Sequence, residues 1–192
     1  MTILLLLIVV AIVGWVILAR NGLVAQKHQV GNAWRQIDVQ LKRRHDLIPN
    51  LVASVKGAMQ HERDTLERVI AARNQAIAAQ QGGNVGSTAA AEAQLGGALG
   101  KLLAVVEAYP DLKANANVAA LQEELASTEN KIGFARQLYN DTATQYNIRQ
   151  QQFPANLVAG LAGASPVDLW EIEDAGERSN PAVDLTLSPP AR

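Results

Sequence analysis

The stretch RQIDVQLKRRHDLIPNLV, residues 35–52, places Lys42, Arg43, Arg44 and His45 in succession between Asp38 and Asp46, with Pro49 and Asn50 just beyond. Residues of these types could bind an anion, hold a metal or relay a proton, and each of those chemistries needs a particular geometry. A metal needs convergent ligands. His28, His45 and His61 stand 17 and 16 residues apart, steps that turn by roughly 260° and 160° on a helix and scatter the imidazoles around it. No HExxH or Glu-x-x-His pair is present, so no metal site and no cofactor is expected. Gly82, Gly83 and Gly86 lack the strand and the lysine of a phosphate loop. Ser54, Ser87 and Ser127 lack a GxSxG context. Glu123 and Glu124 are adjacent, which sets them about 100° apart on a helix, as a solvated face and not an acid/base pair. Tyr139, Tyr146 and Phe153 follow the apolar spacing and read as core, not as a base-stacking platform. No catalytic residue is expected.

Bulk properties agree. The 192 residues are 48% hydrophobic but only 4% aromatic, which suits close-packed helices better than an aromatic-lined pocket. A net charge of -1 gives no global pull toward nucleic acid. Cys is absent, which removes thiol nucleophiles, thiolate ligands and disulfides together.

The elements that must carry these residues begin with MTILLLLIVVAIVGWVILA, which runs without a charge until Arg20. As a helix it reaches about 27 to 29 Å, enough to cross the hydrocarbon of a bilayer. A cleaved signal peptide would want a basic n-region and a small-x-small site; residues 16–18 make a poor one. An anchor in residues 1–19, touching lipid through residues 3–19, is the favoured reading. Arg20, Lys27 and Arg35 flank only its C-terminal side. The positive-inside rule then sets the N-terminus outside and the remainder in the cytoplasm, as a single-pass membrane protein. A periplasmic bundle is the alternative.

After the anchor, Val30, Trp34, Ile37, Leu41, Ile48, Leu51, Val55, Val69 and Ala72 keep a three-four spacing, which predicts one long helix. Pro49 should kink that helix without ending it, because the apolar phase persists across it. Residues 80–88, QQGGNVGST, predict a turn with Ser87 or Thr88 as the next N-cap. A second helix carries Leu95, Leu99, Leu102, Leu103 and Val106, and the chain turns again at Tyr109 and Pro110. A third helix keeps its seam through Val118, Leu121, Leu125, Thr128, Ile132, Ala135, Tyr139, Thr142, Tyr146 and Arg149, until Phe153 and Pro154 stop it. The expected fold is all-α: a transmembrane helix continuing into an elongated antiparallel bundle of three long helices plus a short C-terminal helix. The bundle would occupy residues 20–165 and a partly disordered tail 166–192.

On that framework Arg44 falls on the apolar seam, where a charge is costly unless paired; Glu129 and Asp141 are the candidate partners. The plain reading of Arg44 is a register pin. Lys42 and Arg43 point outward, toward a protein partner or phospholipid.

The blocks NAWRQIDVQLKRRHDLIPNLVASVKG, LGGALGKLLAVVEAYPDLKAN, LQEELASTENKIGFARQLYNDTATQYN and FPANLVAGL, in this order behind an apolar segment, resemble the LemA family over roughly residues 20–162. The resemblance implies an all-α bundle on one membrane-spanning helix and no enzyme activity. Motif positions that match are Trp34, Asp38, Arg43, Arg44, Asp46, Pro49 and Asn50 in the first block. Tyr109 and Pro110 follow in the second, Glu129, Asn130, Tyr139 and Asn140 in the third, and Phe153 and Pro154 in the last. They read as packing, capping and turn residues or as a partner face. One departure is His45, where the family pattern has an aromatic.

Three functions compete. First is a non-enzymatic membrane-anchored scaffold that self-assembles as a homo-oligomer or recruits an unidentified membrane or cytoplasmic protein. Second is a lipid-organising or membrane-remodelling protein that uses the basic stretch and the apolar residues 157–162. A hydrolase ranks last, because the seams supply no polar pocket.

Overall fold

The computed structural model describes residues 1–59 and 61–171, and it is all-helical. Helix α1, Thr2–Val55, is unbroken over 54 residues, about 80 Å. Its apolar first third is exposed, and burial starts at Leu23. Helices α2, Arg63–Gln81, and α3, Val85–Glu107, form a hairpin. A single turn, α4 (Pro110–Lys113), leads into α5, Ala116–Gln151, which packs along α1. The short α6, Asn156–Ala159, and a 3-10 turn, Gly160–Ala162, return to α1. Residues 164–171 then run without helix as a strap.

Two apolar clusters hold the layers together. At the end distant from the apolar third, Ile48, Leu51 and Val55 of α1 meet Leu66 and Val69 of α2, Leu99 and Leu102 of α3, and Val118 of α5. Nearer to it, Val30, Ile37 and Leu41 pack with Ile132, Tyr139 and Tyr146 of α5 and with Trp170 of the strap.

The first bundle helix of the sequence reading is two helices, so the long helices number four. Its apolar phase survives the break because Met59, in the connection, is buried and continues the rhythm from Val55 to Leu66 and Val69. The α3 cap is Asn84, whose side chain accepts the Ser87 N–H at 2.8 Å; Thr88 is buried one turn in, bonding Ala79 O and Asn84 O. On α5 the seam passes through Ala143 and Gln150, not Thr142 and Arg149. A straight helix drifts about 20° per heptad, and by the last third that drift has moved the buried stripe by one residue. Phe153 is not core: it is 80% exposed. The expected tail from residue 166 begins instead as the docked strap; residues 172–192 lie outside the described residues.

Candidate functional site

Helix α1 continues past Pro49 without ending, as the persistent apolar phase predicted. A proline has no N–H to offer the carbonyl four residues back, which here is that of His45. Arg73 of α2 supplies the missing donor, with Nε 2.7 Å from His45 O. The helix thus continues past Pro49 with the vacated acceptor filled by its neighbour.

One turn from the proline lies a buried cluster of charge. Arg44 is 5% exposed and His45 2%. Arg44 Nη1 reaches Glu129 at 2.9 Å and Glu92 at 3.4 Å. His45 Nε2 and Glu92 Oε1 are hydrogen-bonded at 2.6 Å. Of the two partners expected for Arg44, Glu129 is present, and Asp141 is replaced by Glu92. Arg136 completes the group, its guanidinium carbon 4.8 Å above the Trp170 ring. Burial holds Arg136 below the usual arginine range, with the negative charge of Glu129 opposing the shift. Two arginines face two glutamates, so the cluster is neutral without His45. Pairing of this kind is what makes buried charge tolerable. A cavity of only about 80 Å³ separates the members. Gly96 lets α3 come this close: a β-carbon there would stand 3.3 Å from Arg44 Nη2.

The strap closes the cluster, and α5 holds it through two carboxamides. Asn147 accepts the Val167 N–H at 3.0 Å and donates to Val167 O at 2.8 Å. Asn140 accepts the Trp170 N–H at 2.8 Å and donates to Trp170 O at 3.0 Å. Seven helical residues span about 10.5 Å and three extended residues about 10 Å, so the two spacings match. Tyr139 adds an O–H bond to Asp168 O at 2.7 Å. Burial, and after it the charge of Asp168, pushes the Tyr139 phenol above its ordinary 10.0. Trp34 packs edge-on to Tyr139, 5.4 Å between centroids, and lies 5.9 Å from Trp170.

The remaining motif residues are dispersed. Asp38 is exposed and accepts from Gln80 Nε2. Arg43 pairs with Glu124 of α5, and Lys42, Asp46, Pro49, Asn50 and Asn130 are exposed. Tyr109 packs on the distal cluster, and Pro110 opens α4. Arg43 lies 23 residues beyond Arg20, about 34 Å along a continuous helix; even at a 40° tilt that stands about 26 Å above the bilayer that α1 would cross. Arg43 has its counter-ion within the chain.

Glu92, Arg136, Asn147 and Trp170 are the members that sequence reasoning missed. Glu92 had a visible signal: it is the lone charge between Arg73 and Lys101 and shares the spacing of Leu95, Leu99 and Leu102. Trp170 had none, because its partners lie 30 residues away.

What this geometry defines is a helical-bundle protein with a small charge cluster packed between its helices. Its apolar first third is long enough to cross a membrane, with no part of that stretch buried; α3 also has the length and composition but is packed within the bundle. The chain belongs to the LemA family, whose sequence model matches residues 33–185. It is 24% identical over 192 residues to magnetosome protein MamQ 2 of Paramagnetospirillum magneticum, covering 88% of this chain and 71% of that one. To magnetosome protein MamQ of Magnetospirillum gryphiswaldense it is 22% identical over 191 residues, covering 88% and 70%. To protein LemA of Metamycoplasma hominis it is 28% identical over 142 residues, covering 73% and 63%. Family membership and the exposed apolar stretch together make this a membrane-associated protein.

Proposed function

We propose that this chain is a non-enzymatic scaffold at the bacterial inner membrane, anchored by residues 3–19, which assembles through the α1/α5 face of its bundle. The observation that carries this reading is an apolar patch on that face. Val39 is 61% exposed, Phe134 74% and Leu138 44%; they line one shallow groove between Arg35 and Lys131. Large side chains left in water at the middle of a rod mark a contact surface. The occupant we favour is a second copy of the chain, because one rod offers its neighbour an equal length of seam.

Two further features support the reading. The titratable groups that converge do so around Glu92, which is 1% exposed, and the cavity among them is only about 80 Å³. An opening of about 870 Å³ lies between the start of α3, which contributes mostly alanine, glycine and small polar residues, and the strap, which contributes Asp168, Leu169 and Glu171. Orientation follows the positive-inside rule through Arg20, Lys27 and Arg35, which favours a cytoplasmic bundle.

The deciding measurement is the mass of the full-length protein in mild detergent, by light scattering or native mass spectrometry, beside Phe134→Glu. A discrete oligomer that the substitution dissociates is the expected result. A monomer at every concentration would overturn self-assembly. An oligomer indifferent to Phe134→Glu would move the contact to another face.

A further inference from the structure

The short segment after α5 has no place in that assembly surface. Ala155 and Val158 are buried against the body of the protein at 5% and 3% exposure, whereas Phe153, Leu157 and Leu161 are 80%, 67% and 69% exposed. One side of the segment therefore packs and the other presents three large apolar side chains. Leu157 and Leu161 stand four residues apart, one turn, and share a side.

Its position is set by α1. Arg20, the first charge after the apolar run, donates from Nε to Leu161 O at 3.4 Å. Lys27 Nζ donates to Gly163 O at 3.1 Å. Leu23, less than one turn beyond Arg20, is 1% exposed although residues 2–13 beside it are open. The elements that meet α1 at this level are α6 and the 3-10 turn. The segment is thus tied to the residue at which the membrane-crossing run ends. By contrast, the patch of Val39 and Phe134 begins 19 residues further along α1, about 28 Å away.

We infer that residues 153–161 form an apolar lip at the membrane surface, with Leu157 and Leu161 inserted among the lipids of the leaflet from which α1 emerges and Phe153 at its edge. The occupant is the bilayer itself, because the lip is continuous with the end of the membrane-crossing run. Side chains on a short amphipathic segment reach about 5–10 Å into the headgroup and upper acyl region. Two contacts on one leaflet, helix and lip, fix the tilt of the bundle where a lone helix would leave it free. The inference rests on residues 3–19 being the anchor.

The absence of Cys makes every introduced thiol unique. Full-length Leu157→Cys, Leu161→Cys, Val9→Cys and Phe134→Cys, each carrying an environment-sensitive fluorophore, are placed in nanodiscs with or without lipid bearing a nitroxide high on the acyl chain. Leu157→Cys and Leu161→Cys should lose roughly half or more of their emission to the nitroxide, as expected for shallow insertion. Phe134→Cys should be unaffected. Emission from Leu157→Cys and Leu161→Cys as unaffected as that of Phe134→Cys, with Val9→Cys strongly quenched, would overturn the lip and leave the anchor standing. An unquenched Val9→Cys would overturn the anchor and the lip with it.

Discussion

Pro49 and Arg73 share one acceptor: the carbonyl of His45, which the proline cannot serve, receives Arg73 Nε at 2.7 Å. This ties α2 to α1 at the point where α1 is intrinsically weakest, and it turns a helix defect into a contact between helices. Arg73→Met should cost about 1.5–3 kcal/mol, the range for a hydrogen bond to a charged donor. In a Pro49→Ala background an N–H returns to the helix, and the same substitution should cost at least about 1 kcal/mol less. Denaturant melts of the four proteins form the cycle. Strict additivity would show that the bond does not compensate for the proline.

Glu92 is the pivot of the buried cluster. Glu92→Gln leaves Arg44 with only half-exposed Glu129, and breaking a buried pair costs about 3–5 kcal/mol. Removing both charges in Arg44→Met/Glu92→Leu should recover most of that loss. If the double substitution is as unstable as Glu92→Gln, packing and not charge dominates the site.

The α3 glycines offer a steric test with its own control. Gly97 and Gly100 have nothing within 4 Å of an added β-carbon, whereas Gly96 has Arg44 Nη2 at 3.3 Å. Alanine at 97 or 100 should raise stability by roughly 0.5–1 kcal/mol through helix propensity. At 96 the gain should vanish or reverse, since two carboxylates hold the guanidinium in place. Equal gains at all three positions would contradict the close approach.

Asn140→Ala and Asn147→Ala should each free one end of the strap. A side chain that satisfies a backbone N–H and C=O contributes about 1–3 kcal/mol when its loss leaves both unpaired. Trp170 emission should shift to the red in Asn140→Ala and less in Asn147→Ala, since Trp170 is the residue that Asn140 holds. Unchanged spectra in both would show that Trp170 stays docked without its clasp.

The strap should also respond to alkali. Folding raises the proton affinity of Tyr139 above its ordinary value of 10.0. Its contribution is therefore complete below about pH 10 and disappears as pH climbs through the higher folded value. Absorbance of tyrosinate at 295 nm should show one late-titrating phenol in the wild type, absent in Tyr139→Phe, and Trp170 emission should shift in the same pH range. A late phenol that persists in Tyr139→Phe would assign it to another tyrosine.

Much of this architecture was legible in residue spacing. Ile37, Leu41, Ile48 and Leu51 announced the buried side of α1, and the persistence of that phase rightly carried the helix through Pro49. The same rule misled at residues 56–62, because Met59 keeps the beat through a turn and only Gly57 hinted at the break. A charge on a seam demanded partners, so Arg44 pointed to Glu129; the same logic applied to Glu92 would have found the second one. Leu157 was visible as apolar, but its height relative to Arg20 depends on contacts made across 141 residues. The strap was illegible for a like reason: Asn140 and Asn147 are ordinary helix-surface residues until an extended segment arrives with matching spacing.

The helix that would enter the bilayer is also the first helix of the bundle, with no joint between Arg20 and Val55. The protein therefore behaves as a key on a rigid shaft. Each residue of α1 sets an azimuth as well as a height: adding one between Arg20 and Leu23 would turn everything above it by about 100° while lifting it only about 1.5 Å. The compass bearing of the groove at Phe134, relative to the membrane-crossing run, is thus written in the residue count of a single helix.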